Sequence, residues 1–267
     1  MLPLGIFSYY RFDIPHAKSF ELIAKAGFSA TCLWFGDEDP MIHAGQADEI
    51  PGLARKCGLA CDNIHASFWH SNYLWSEQKS EQSVISEELS NALLFCAKHQ
   101  IPHMVMHLSV GKTPPPPNQS GLQLIGKMVK QAENLGVTIA TENTGRYDSQ
   151  YLDFVFSNIH SPNLGFCYDS SHDAIAEEFR GQALGKWGSL LATTHFSDNH
   201  GINDDHLLPG YGNIDWHNIM QKFPKNYKGT LMLEVDGPEA NKGFTPEGFL
   251  STAYLKAREL AEMVEST

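Results

Sequence analysis

The chain has 267 residues, with 19 Lys+Arg against 31 Asp+Glu and a formal charge of −12. That acidity argues against non-specific binding to nucleic acid or to an anionic membrane, both of which recruit basic proteins. The five cysteines (Cys32, Cys57, Cys61, Cys96, Cys167) contain no C-x-x-C pair, which excludes a compact disulfide framework and a thiolate metal site of that spacing.

Reduced thiols fit a cytoplasmic protein. No apolar run approaches the ~18 residues of a spanning helix, and the start, Met-Leu-Pro-Leu-Gly-Ile-Phe, lacks the basic region of a secretory leader. A soluble, unprocessed chain is the expectation.

Taken in order, the elements alternate. An apolar run over 2–9 precedes a helical pattern over 15–26 with Phe20, Ile23 and Ala24 on one face and Gly27 as its stop. Residues 30–35 read as a strand before a helix over about 46–57, and 59–65 as a strand before a long helix over 80–99. Strands over 101–107, 137–142 and 164–169 precede helices over about 119–135, 149–158 and 172–184. The last two units pair 190–195 with a helix over 215–223, and 230–235 with one over 246–263. Although the length could hold two domains, eight strand-helix units fill the chain without a linker. The expected fold is therefore α/β, a single (β/α)8 TIM barrel over 1–267. Four prolines after Thr113 form a stiff spacer or a wall beside the mouth of the barrel.

Catalytic groups of such barrels sit at the carboxyl ends of the strands. Six consecutive predicted strands end in His65, His107, Glu142, Asp169, His195 and Glu234. Any one of these alone reads as a satisfied polar residue. Six in register require a cation, because burying several carboxylates around one axis is otherwise prohibitive. Alternation places Val105, Ala140, Cys167, Thr193 and Met232 one layer deeper. His172 follows Asp169 at i+3, and the polar loop 195–216 returns Asp204 and His206 at i, i+2, a spacing that lets both side chains face one ion. Asp215 reads as the N-cap of the next helix. Nine candidate ligands is too many for one ion.

These residues, in Ile64-His65-Ala-Ser, Val105-Met-His107, Thr141-Glu142-Asn143, Cys167-Tyr-Asp169-Ser-Ser-His172, His195-Phe-Ser-Asp198, Asp204-Asp-His206 with Gly210-x-Gly212-x-Ile-Asp, and Leu233-Glu234, resemble the xylose isomerase-like TIM-barrel superfamily. The resemblance covers about 60–236. Its ketose 3-epimerase branch implies one divalent ion (Mn, Mg, Co or Zn) held by Glu142, Asp169, His195 and Glu234. It further implies a metal-stabilised enediolate, with the two glutamates as the catalytic proton carriers. His172 would then bind a substrate hydroxyl, and Asp148 stands where that branch has a substrate-binding glutamate; no arginine follows the metal histidine over 197–201. Phe68 and Trp69, in an aromatic loop after strand three, would stack on a nucleic-acid base or, equally, line a pocket for a small sugar or sugar phosphate. The endonuclease IV branch implies up to three zinc ions on all nine positions and cleavage of DNA at abasic sites. Against it stand the carboxylates of Gly36-Asp-Glu-Asp-Pro-Met and the few basic residues on mouth loops: Arg11, Lys112, Arg146 and Lys242. The reading is a divalent-metal isomerase or epimerase of a small sugar or related ketone, with the endonuclease as the alternative and a non-catalytic sugar-binding barrel third. Nucleic acid and membrane are not expected partners, and a homo-oligomer is compatible with the sequence. Residues 208–212 read as a simple turn before they read as a phosphate site.

Overall fold

The computed structural model describes residues 2–36, 39–145, 147–176, 180–237 and 243–266. Eight parallel strands form its centre: β1 (Leu4–Phe7), β2 (Ala30–Phe35), β3 (Ala60–Ala66), β4 (His103–His107), β5 (Thr138–Glu142), β6 (Leu164–Asp169), β7 (Leu191–His195) and β8 (Leu231–Leu233). They pair in the order β7-β6-β5-β4-β3-β2-β1-β8. Phe196 N donates to Met232 O (2.8 Å) and Glu234 N to Phe196 O (3.0 Å), which brings β7 against β8 and closes the barrel. Around it run α1 (His16–Ala26), α2 (Pro40–His43), α3 (Ile50–Lys56), α4 (Lys79–Lys98), α5 (Gln119–Leu135), α6 (Asp148–Asn158), α7 (Ser170–Ile175), α8 (Ala183–Trp187), α9 (Trp216–Lys222) and α10 (Pro246–Ser266).

Helix α5 illustrates why the sequence folds this way. Leu122, Ile125, Met128, Val129 and Ala132 recur at helical spacing and are all buried against the barrel. Asn118 caps its start by accepting from Gly121 N at 2.9 Å, and Gly136 ends it in the left-handed region at φ 68°.

Inside the barrel, Val105, Ala140 and Cys167 form one buried cluster and Met232 joins Phe7, Ala30 and Cys32 in another. Thr193 is polar filler: its hydroxyl donates to Asp62 Oδ2 (3.3 Å) and accepts from Asn63 Nδ2 (3.2 Å). Small residues are needed at this depth. A Cβ on Gly5 would sit 2.6 Å from the Met232 side chain.

One expected helix is divided. The periodicity predicts a helix over 172–184, but α7 ends at Ile175 and α8 begins at Ala183, with 177–179 outside the described residues. Asp173 supplies the break. Its carbonyl accepts from Gly181 N (3.2 Å) and its carboxylate from Ala183 N (3.3 Å), with Gly181 at φ 68°. A turn with a left-handed glycine replaces the continuous helix.

Candidate metal centre and cleft

Glu142, at the end of β5, is the hub of the site. Its Oε2 lies 3.2 Å from His65 Nε2, 3.5 Å from His107 Nε2 and 3.2 Å from His195 Nδ1, and its Oε1 lies 3.3 Å from His172 Nδ1. Glu234 Oε2 reaches the same His195 nitrogen at 3.0 Å. Strand pairing sets this convergence directly, since His107 is the register partner of Glu142 and Asp169 that of His195. One ligand atom from each of Glu142, Asp169, His195 and Glu234 lies within 4.8 Å of the others, and so do those of His65, His107 and Glu142. The first three residues of the four are buried.

The chain around Asp169 is built to aim it. Asp169 caps α7 by accepting from His172 N through Oδ1 (2.6 Å), which places His172 one turn along and leaves Oδ2 buried without a hydrogen-bond partner. Asn143 clamps the same residue from the neighbouring strand, donating to Asp169 O and accepting from Asp169 N, both at 2.8 Å. Sequence reasoning did not assign Asn143 a role; its position directly after Glu142 was the available signal. Asp204 Oδ2 lies 3.3 Å from His172 Nε2 and 2.9 Å from His206 Nε2, and Ser171 Oγ donates to Asp204 Oδ1 at 2.6 Å. All nine candidate ligands thus form one continuous network.

Two histidines have their ring orientation fixed from behind. His65 Nδ1 donates to Ala66 O (2.8 Å) and His206 Nδ1 to Glu234 O (3.0 Å), so each presents Nε2 to a carboxylate. A neutral imidazole held this way offers a lone pair on Nε2, the arrangement metal-ligating histidines adopt. His206 holds φ at 47°, a conformation uncommon for a non-glycine residue.

The donor set fits a divalent cation. Among the described residues eleven buried side-chain polar atoms lack a hydrogen-bond partner, and seven lie here: His107 Nε2, both Glu142 oxygens, Asp169 Oδ2, His172 Nδ1 and both His195 nitrogens. Buried polar atoms ordinarily find partners. Imidazole and carboxylate together suit zinc, manganese or a similar ion. Ionisation in the cluster is strained accordingly. Burial, reinforced by Glu142, Asp204 and Glu234 against the opposing pull of His172, pushes Asp169 up to about 8. Burial also opposes the charge on Glu142, yet the His195 and His107 imidazoles hold it well below the ordinary carboxylate range. His172, despite desolvation, is raised by Asp169 and Asp204. The protein's own neutralisation of these carboxylates therefore rests on protonated imidazoles, a place a cation can take.

Above the network is a cleft of about 720 Å³ lined in part by His65, His107, Glu142, His172, Asp204, His206 and Glu234. Phe68 stacks on His107 (ring centroids 4.8 Å apart), Phe7 meets His195 edge-on at 4.8 Å, and Trp34 tilts over His65 at 5.2 Å. Trp69, tilted on Phe68, lies at the mouth with Arg11 and Lys112. Neither Phe7 nor Trp34 was singled out from the sequence, because an aromatic residue in a strand reads as core.

Asp148 opens α6, directly after the loop that follows β5. Its carboxylate accepts from Thr144 N (2.8 Å) and Gly145 N (2.9 Å), folding the loop after β5, and it is not among the residues lining the cleft. Of the acidic loop after β2, Asp37 and Glu38 lie outside the described residues, as do Arg146 and Lys242. Asp39 does not face the mouth: it is buried, 2.8 Å from His16 Nε2, and accepts from Met41 N at 2.9 Å. It cannot repel a phosphate there. In the proline run Tyr151 Oη donates to Pro115 O (2.5 Å), and just before it Tyr147 Oη donates to Lys112 O (3.3 Å). Val110, Gly111 and Lys112, which precede the run, line the cleft.

The loop 195–216 is organised by Asp198, whose role sequence reasoning missed. Fully buried, it accepts from Asn199 N (2.8 Å) and Ile214 N (3.1 Å) through Oδ1 and from Gly210 N (2.8 Å) and Trp216 Nε1 (2.9 Å) through Oδ2. Within the turn over 208–212 the Gly210 amide is thereby directed at a carboxylate of the chain, and the Tyr211 amide donates to Leu208 O (2.9 Å). Gly212 is required because a Cβ there would lie 2.3 Å from Asn199 O. Asp215 caps α9, accepting from Asn218 N at 3.1 Å.

Comparison with known proteins agrees with this fold. Over 280 aligned positions the chain is 25% identical to protein y4fM of Sinorhizobium fredii, spanning 93% of this chain and 89% of that one. Its fold is similar to that of a D-tagatose 3-epimerase-like protein (TM-score 0.74, 20% identity, 100% of this chain and 99% of that chain). It is also similar to an L-ribulose 3-epimerase (TM-score 0.79, 17% identity, 100% and 95%). At these identities the likeness is one of fold. The family profile described as xylose isomerase-like TIM barrel matches residues 20–255, so the chain belongs to the xylose isomerase-like TIM-barrel family.

Proposed function

We propose that the protein is a divalent-metal-dependent epimerase or isomerase of a sugar or related ketone. The observation that carries this reading is the convergence of Glu142 and Glu234 on His195, at 3.2 and 3.0 Å, within a set completed by Asp169. These four residues would hold the ion, and when bound it would supply Lewis-acid polarisation of the substrate carbonyl and an adjacent hydroxyl. The fold likeness to solved sugar epimerases supports the substrate class.

The residues of the chain then divide the work. One glutamate carboxylate accepts the proton alpha to the carbonyl; the other, carrying a proton, delivers it to the opposite face of the same carbon or to the neighbouring carbon. No proton is lost over the cycle. His172, on α7 and open to the cleft, is placed to hydrogen-bond a substrate hydroxyl, and Phe7, Trp34 and Phe68 pack on the C–H faces of a sugar while excluding water. Incubation with a panel of ketoses in D2O tests the proposal. Deuterium enters the carbon alpha to the carbonyl with the wild type and not with Glu142→Gln; absence of exchange with every ketose contradicts it.

A second reading has one observation in its favour: His65, His107, His172, Asp204 and His206 continue the network, enough ligands for further ions. This would suit an endonuclease IV-like activity with up to three zinc ions. Of the described residues lining the cleft, the Arg and Lys cations are Arg11 and Lys112, and Arg11 is paired with Asp236, a poor cradle for a phosphodiester backbone. Chelator-sensitive cleavage of a duplex bearing one abasic site at low salt would reverse the ranking.

A further inference from the structure

The cleft has more room than one small sugar fills. Its volume of about 720 Å³ falls well within the roughly 300–1,000 Å³ of pockets that enclose drug-sized ligands, and a monosaccharide is smaller than such a ligand. The space is also divided into two zones. The inner one has the ligand cluster as its floor and Phe7, Trp34 and Phe68 as its walls. The outer one is marked by exposure: Phe68 lies on His107 with centroids 4.8 Å apart, and Trp69, tilted on Phe68 at 4.8 Å, reaches solvent. A sugar whose reacting carbon lies between Glu142 and Glu234 occupies the inner zone.

The outer zone is furnished nonetheless. Trp69 is 59% exposed and Tyr9 43% exposed, and both line the mouth. Large aromatic planes held in water at the rim of a cleft mark a surface that meets a ligand. In the same lining Arg11 Nε pairs with Asp236 Oδ2 at 2.9 Å, with Arg11 at φ 60° in the left-handed region. The pair sets donors and acceptors side by side with offsetting charge, which suits sugar hydroxyls better than a phosphate.

Resting on the sugar reading above, we infer that Trp69, Tyr9, Arg11 and Asp236 form a second sugar-binding subsite. The favoured substrate is then a ketose carrying another sugar ring remote from the reacting carbon, a keto-disaccharide or ketose glycoside, in preference to a free monosaccharide. The inner zone holds the ketose unit; Trp69 and Tyr9 pack on the second ring.

Affinities of the full chain for D-fructose and for isomaltulose, a fructose with glucose on its O6, decide the matter by saturation-transfer NMR titration. Isomaltulose binds about tenfold more tightly, and the combined Trp69→Ala and Tyr9→Ala substitutions abolish that preference. Thermal unfolding of the variant confirms that it is folded, and the milder Trp69→Phe retains most of the preference. Equal affinity for the two sugars, or a preference that survives the double substitution, overturns the inference. Deuterium incorporation from D2O is read in parallel: its absence with both sugars counts against proton transfer, while the affinity ratio still decides the subsite.

Discussion

Two buried carboxylates at the top of the barrel meet opposite fates. Asp198 is fully buried, and its two oxygens take four donors from the loop it organises. Glu142 is equally withdrawn from water, at 2% exposure, yet neither of its oxygens has a hydrogen-bond partner and four imidazoles crowd around it within 3.5 Å. Burying a charge is tolerated only with compensation. The chain supplies that compensation itself at Asp198, which marks a residue of the fold. At Glu142 the compensation comes from imidazoles alone, a place that the proposed ion would take.

Substitutions should separate the two. Glu142→Gln is expected to lower the rate of deuterium exchange by about 10²- to 10⁴-fold while the variant still melts cooperatively. Asp198→Ala should act in the reverse sense, costing about 3–5 kcal/mol of stability because it orphans several buried donors at once. Urea unfolding of both variants checks the contrast, and equal loss of stability would erase it. Adding Mn²⁺ or Zn²⁺ at 100 times its Kd should stabilise the wild type by about 2.7 kcal/mol, an increment removed by chelator and missing in Asp169→Asn.

A smaller effect concerns Asp148, a third way of handling a carboxylate. Burial pushes it up to about 6, against the lowering by the Thr144 and Gly145 amides. Since an unfolded Asp titrates near ~3.9, the folded state holds the extra proton between those values. Its contribution therefore favours folding at pH 4 and is lost as pH rises through about 6. Asp148→Asn removes that dependence. The stability of the wild type relative to the variant should fall by roughly 1–3 kcal/mol between pH 4 and pH 7, as denaturant titrations at the two pH values would read.

The alternation of apolar strands and amphipathic helices made the barrel legible, because each unit carries its own period. The ligand cluster was legible for a related reason: six strands ended in a His, Asp or Glu at the same place in the repeat, and strand register turned that repetition into proximity. Asp198 was not, since its partners Gly210 and Ile214 lie in the loop and Trp216 opens α9, and no periodicity encodes their approach. Asp148 came from the resemblance alone, and no pattern in the sequence encodes that the neighbouring amides take its oxygens. The break at Asp173 was hidden for the same reason, and the aromatic wall escaped because Phe7 and Trp34 look like any core residue in a strand.

Metal content tests the central claim most directly. Elemental analysis of the purified protein, equilibrated with manganese, cobalt, magnesium and zinc in turn and dialysed, should find one divalent ion per chain, lost in His195→Ala and in Asp169→Asn. Three zinc ions per chain would contradict the single-ion proton-transfer account, and no retained ion under any of these conditions would contradict the metal centre itself.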